Sequence, residues 1–134
     1  EAALDAREQR GLSTFIALGC ASCHAGPGLG GEQLRKFGVV MPYAEAMHVS
    51  APDAGRFDVT NAERDRFVFK VPQLRNVTST APYFHDGSVG ELEEAVRIMA
   101  RVQLGQSLTD EQTAELVAFL GALSGPAPAW FSAP

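Results

Sequence analysis

The sequence predicts an all-α domain in which a few amphipathic helices are joined by long irregular loops. Two observations carry this reading: apolar residues recur at helical spacing in three separate stretches, and two of those stretches open on capping signals. In residues 3–18, Leu4, Glu8, Gly11, Leu12, Phe15 and Leu18 share one face, with Gly11 placed to let another backbone approach closely. Residues 25–60 are rich in glycine and proline and show no sustained period, so an irregular wrap is expected, with at most a short helix near residues 31–36. Thr60 and Asn61 are expected to cap one helical turn reaching Asp65. Phe67 to Val71 alternates enough for a short extended piece before Pro72. Ser88, with Glu91 three residues on, reads as a capping box for a helix carrying Leu92, Ala95, Val96 and Met99 on one face. Thr109 and Gln112 form a second such box, ahead of a stripe of Leu116, Phe119, Leu120 and Leu123 that ends at Ser124-Gly125-Pro126. Residues 1–125 are read as one domain and 126–134 as an extended tail, with Trp130 and Phe131 packing on the body.

Composition narrows the function. At 134 residues, with 46% apolar and 20% charged, the chain has the length of one domain and an ordinary globular balance. A net charge of −5 argues against nucleic acid as a partner, because neutralising phosphates requires excess clustered Lys and Arg. No apolar run approaches the roughly 20 residues of a membrane span. Glu1-Ala2-Ala3 lacks the basic-then-apolar layout of a signal peptide, so an exported chain is expected to be already trimmed.

The two cysteines supply the chemistry. Cys20-Ala21-Ser22-Cys23-His24 has the spacing of a c-type haem attachment site. Two thiols separated by two residues can add across the two porphyrin vinyl groups, and the next residue brings its imidazole to the iron. A thioredoxin-like pair would follow a strand, whereas helix precedes this one. A zinc site would need further ligands at matching spacing, and His48 and His85 stand alone. One covalent haem c is therefore expected, and with it an all-α cytochrome c-type fold whose first and last helices cross near Gly11 and Phe119. Covalent attachment after export implies a periplasmic location. A flat macrocycle also explains the long loop, since irregular backbone can cover it. His24 gives one axial ligand, and the sixth position separates electron transfer from small-molecule chemistry. Met41, Met47, Met99, His48 and His85 are the candidates, and the residues alone leave Met99 level with the Met41/Met47 pair.

From Phe69 to Ser88 the chain reads FKVPQLRNVTSTAPYFHDGS, followed by Leu92 to Met99, Gln103-Leu104-Gly105 and the helix of Leu116 to Leu120. With Leu29-Gly30-Gly31 after the haem motif, this resembles the C-terminal haem domain of the bacterial di-haem cytochrome c peroxidases over nearly the whole chain. The resemblance implies a high-potential, electron-accepting haem held by His24 and Met99. A related branch, the di-haem enzymes that mature a tryptophan-derived quinone, has Tyr where Met99 stands. The resemblance also implies a calcium ion on the carbonyls of Thr80 and Pro82, completed by another domain. The departure is that this chain has one haem motif where the family has two, so a peroxide-reducing haem is not part of it.

Supporting roles follow. Arg75 is a candidate partner for a haem propionate, and the Pro27 carbonyl a candidate acceptor for the proximal imidazole N–H. Tyr83, Phe84 and His85 are expected to line or brace the pocket, and Phe15, Leu29 and Leu116 to lie against the porphyrin or the helix crossing. Glu91, Glu93 and Glu94 complement a helix start. The leading function is electron transfer from a small redox protein, a cytochrome c or a cupredoxin, to an acceptor such as a second haem domain. Hydrogen peroxide reduction is the alternative, with His85 or Glu45 as distal acid or base. A ligand sensor is the third reading, supported by nothing beyond the haem itself.

Overall fold

The structure is a computed structural model describing residues 3–126. Five helices appear: α1 (Ala6–Ala17), α2 (Tyr43–Ala46), α3 (Phe57–Thr60), α4 (Leu92–Leu104) and α5 (Asp110–Ala122). Strands β1 (Leu34–Lys36) and β2 (Val68–Lys70) pair antiparallel, with Arg35 opposite Phe69. The expected all-α character holds for the three long helices, and the small sheet is an addition to it.

Helix boundaries follow local chemistry. The Asp5 carboxylate accepts from the Arg7 and Glu8 amides at 2.8 Å each, and Glu8 returns a bond to the Asp5 amide at 2.7 Å, which starts α1 at Ala6. The Thr109–Gln112 box forms as expected, with bonds of 3.0 and 3.1 Å. The Ser88 box does not. Glu91 occupies the N-cap position of α4 with no side-chain cap, because the backbone before it is already engaged: the Tyr83 amide donates to the Val89 carbonyl at 2.6 Å. Gly105, at φ 65°, closes α4 in the left-handed conformation.

Two other expectations shift. The segment near residues 31–36 is strand rather than helix, since Gly30 and Gly31 turn the chain at positive φ and Gly31 donates to the Val71 carbonyl, leading into the pairing with β2. Asn61 does not cap the following turn. At φ 53° it ends α3, and a separate 3-10 turn spans Glu63–Asp65. The tail residues Trp130 and Phe131 lie outside the described residues.

The core forms where α1 crosses α5. A Cβ on Gly11 would stand 2.0 Å from the Glu115 carbonyl oxygen and 2.8 Å from the Phe119 Cβ, so only glycine permits this approach. Phe15, Leu116, Phe119 and Leu120 are buried together, with the Phe15 and Phe119 rings 5.3 Å apart. Arg10 pairs with Glu115 beside the crossing and so compensates a carboxylate that is only 8% exposed. A second, aromatic group surrounds Tyr43, which stacks on Phe37 at 4.7 Å and donates its hydroxyl proton to the Asp53 carbonyl at 2.8 Å. Gln103 of α4 ties this group down by accepting from the Gly38 amide and donating to the Lys36 carbonyl.

Gly11→Ala should therefore force α1 and α5 apart and lower stability by about 2–3 kcal/mol, read from the denaturant midpoint at unchanged slope.

Candidate functional site

Gly19, at φ 94°, ends the α1 segment in a left-handed turn, and the chain tightens into a 3-10 turn over Cys20–Ser22. The Cys23 and His24 amides both donate to the Cys20 carbonyl, at 3.2 and 3.0 Å. This winding turns both thiols and the imidazole into one cavity of about 440 Å³. Both cysteines are free thiols, and burial pushes the Cys20 thiol pKa up.

His24 is 9% exposed and burial pushes its pKa down, which keeps the imidazole neutral. Its Nδ1 lies 3.3 Å from the Leu29 carbonyl, an acceptor its N–H can reach, with the Pro72 carbonyl as a weaker second partner. With Nδ1–H donating there, Nε2 keeps its lone pair for a metal. The orienting carbonyl is thus that of Leu29 rather than Pro27, which is exposed two residues earlier. Gly30 makes this possible: at φ 127° it brings the loop so close to Pro72 that a Cβ would stand 2.1 Å from the Pro72 carbonyl oxygen. In sequence, the glycine pair was a signal of close backbone approach, but which carbonyl it would deliver depended on the tertiary contact with Pro72.

The rest of the wall is mostly apolar. Phe15 comes from α1, Leu116 and Leu120 from α5, and α4 contributes Ala95, Val96, Met99 and Gln103 along one face. Met99 and His85 line the cavity, whereas Met41, Met47, His48 and Glu45 are not part of its lining. His85 stacks on Phe69 at 4.3 Å and meets Tyr43 edge-on at 5.5 Å. Tyr83 and Phe84 line the cavity as expected, and Tyr83 donates to the Val77 carbonyl. Thr80 and Pro82 also reach the wall. Among the described residues no group of three or more His, Cys, Asp or Glu side chains gathers as a metal cluster. Arg75 stands outside the lining, donating to the Pro126 carbonyl at 3.2 Å. Three other cations, Arg35, Lys36 and Lys70, reach the wall from β1 and β2. Sequence reasoning did not single them out: Arg35 and Lys36 fall in a stretch expected to hold at most a short helix, Lys70 in the expected extended piece, and only the pairing of the two brings them together.

The cytochrome c family model matches residues 8–124. The chain belongs to the cytochrome c family. It is 46% identical over 126 residues to a cytochrome c551 peroxidase of Nitrosomonas europaea and, over the same length, to one of Pseudomonas aeruginosa. Each match covers 94% of this chain and 36% of the relative, so the chain spans about a third of the length of these proteins and corresponds to one haem domain. A solved MauG-like protein associated with microbial copper homeostasis superposes with a TM-score of 0.72 at 29% identity, over 92% of this chain and 48% of that one. A cytochrome c domain implies covalent haem c. The residues present fit it: two free thiols and a neutral buried imidazole share one apolar cavity.

Gly30→Ala should cost at least about 2 kcal/mol, combining positive-φ strain with a backbone clash. Gly90→Ala, with nothing within 4 Å of the added Cβ, should be close to neutral. Denaturant unfolding of the two variants side by side checks both.

Proposed function

We propose that this domain is a one-electron relay whose haem iron is held between His24 and Met99. One observation supports it most: the apolar face of α4 brings Met99 to the cavity that holds His24, whereas Met41 and Met47 do not line that cavity. The haem supplies a reversible Fe(II)/Fe(III) couple, and a thioether ligand raises its potential. Cys20 and Cys23 would anchor it by thioether bonds. Leu29 holds the proximal imidazole in one tautomer, and Phe15, Leu116 and Leu120 exclude water from that side.

As the relatives named peroxidases have about two and a half times this length, the reading extends to a larger setting. Electrons would enter from a small periplasmic donor, a cytochrome c or a cupredoxin, and pass to a second haem domain. A calcium ion on the Thr80 and Pro82 carbonyls would need further oxygen ligands from that second domain. Peroxide reduction by this domain alone is the second reading, favoured by the names of the relatives. Of its two distal candidates, His85 lines the cavity and Glu45 does not.

The test is the far-red and near-infrared absorption of the oxidised protein. We expect a methionine-to-iron charge-transfer band that vanishes in Met99→Ala and persists in Met41→Ala and Met47→Ala. A high-spin wild-type spectrum without that band would overturn the relay and favour the peroxidase.

A further inference from the structure

Resting on the haem reading above, we propose that the β1–β2 sheet is the propionate-binding element of this domain and that Arg35 is the residue that pairs with a propionate. On a haem, the vinyl and propionate groups lie on opposite sides of the macrocycle. The vinyl side is fixed by Cys20 and Cys23, and Cys20 packs with the α1–α5 core. The sheet belongs to a different group, in which Phe69 stacks on His85 and meets Phe37 and Tyr43. Both groups meet the same cavity. The carboxylates are therefore directed away from the α1–α5 core and toward the sheet.

Charge agrees with this placement. Arg35, Lys36 and Lys70 reach the cavity wall, and among the described residues none of them takes part in an ion pair, although acidic side chains outnumber basic ones by 16 to 11. Cations left unpaired at the edge of an apolar cavity suit an anionic group of the occupant. Strand geometry then selects among the three. Arg35 stands directly opposite Phe69, so the two side chains share a sheet face, and Phe69 carries that face to His85 at the cavity. Lys36 and Lys70 also line the cavity but alternate to the sheet face away from Phe69. A guanidinium can also bind a carboxylate through two parallel N–H bonds, which an ammonium cannot. Arg75 is directed elsewhere, to the Pro126 carbonyl.

The experiment uses the full chain carrying its covalent haem and compares Arg35→Gln, Arg35→Lys, Lys36→Gln and Arg75→Gln. Resonance Raman reads the propionate bending band, and a redox titration reads the ratio of reduced to oxidised protein at one fixed ambient potential. In Arg35→Gln the bending band should move and the ratio should fall about three- to tenfold, because a positive charge that offsets the propionate has been removed near the iron. Arg35→Lys should restore most of the ratio while the band stays shifted. Lys36→Gln and Arg75→Gln should leave the band in place. An unmoved band in Arg35→Gln, or an equal movement in Lys36→Gln or Arg75→Gln, overturns the proposal. A wild-type chain that acquires no covalent haem, read as the absence of a pyridine haemochrome, overturns the haem reading and this proposal together.

Discussion

Five consecutive residues, Cys20 to His24, must present two thiols and one imidazole to the same space, and most of the structure serves that constraint. A 3-10 turn meets it locally, because winding the chain onto the Cys20 carbonyl brings the three side chains to one side. The turn alone would leave the imidazole free to rotate. The Leu29 carbonyl prevents this, and it arrives only because Gly30 lets the loop touch Pro72. The glycine-rich segment after the motif is thus a positioning device.

The helices supply the remaining walls. The crossing of α1 and α5 at Gly11 seats Phe15 and Leu116 where they serve both the core and the cavity, so tight packing and cofactor enclosure are one problem. α4 presents an i, i+3, i+4 stripe in which Ala95 and Val96 are followed by Met99 and Gln103. Gln103 also holds the loop after β1, linking the α4 face to the sheet that carries the cationic edge. The division between an apolar interior and a charged margin is what a macrocycle with an apolar body and two carboxylates requires.

Much of this was legible in the sequence where the signal was local. The attachment motif, the Thr109–Gln112 cap and the glycine at the crossing each depend on residues whose spacing carries the geometry. The misreadings arose where a contact outside the local pattern decided the outcome. Leu34–Lys36 became a strand because Val68–Lys70 pairs with it, a contact no local pattern announces. The Ser88 cap was pre-empted by the bridge from Tyr83 to Val89. Arg75 sits in a basic stretch, which suggested a propionate partner, yet its guanidinium turns to Pro126. Pro27 and Leu29 are two residues apart, and only the fold decides which carbonyl meets His24.

The central claim is that the iron is closed by His24 and Met99, and the methionine methyl groups test it most directly. In proton NMR of the reduced, haem-loaded chain with its three methionines methyl-labelled, the account predicts one ε-methyl signal shifted far upfield by the porphyrin ring current and lost in Met99→Leu. Three unshifted methyl signals, or an upfield signal that survives Met99→Leu, would contradict it.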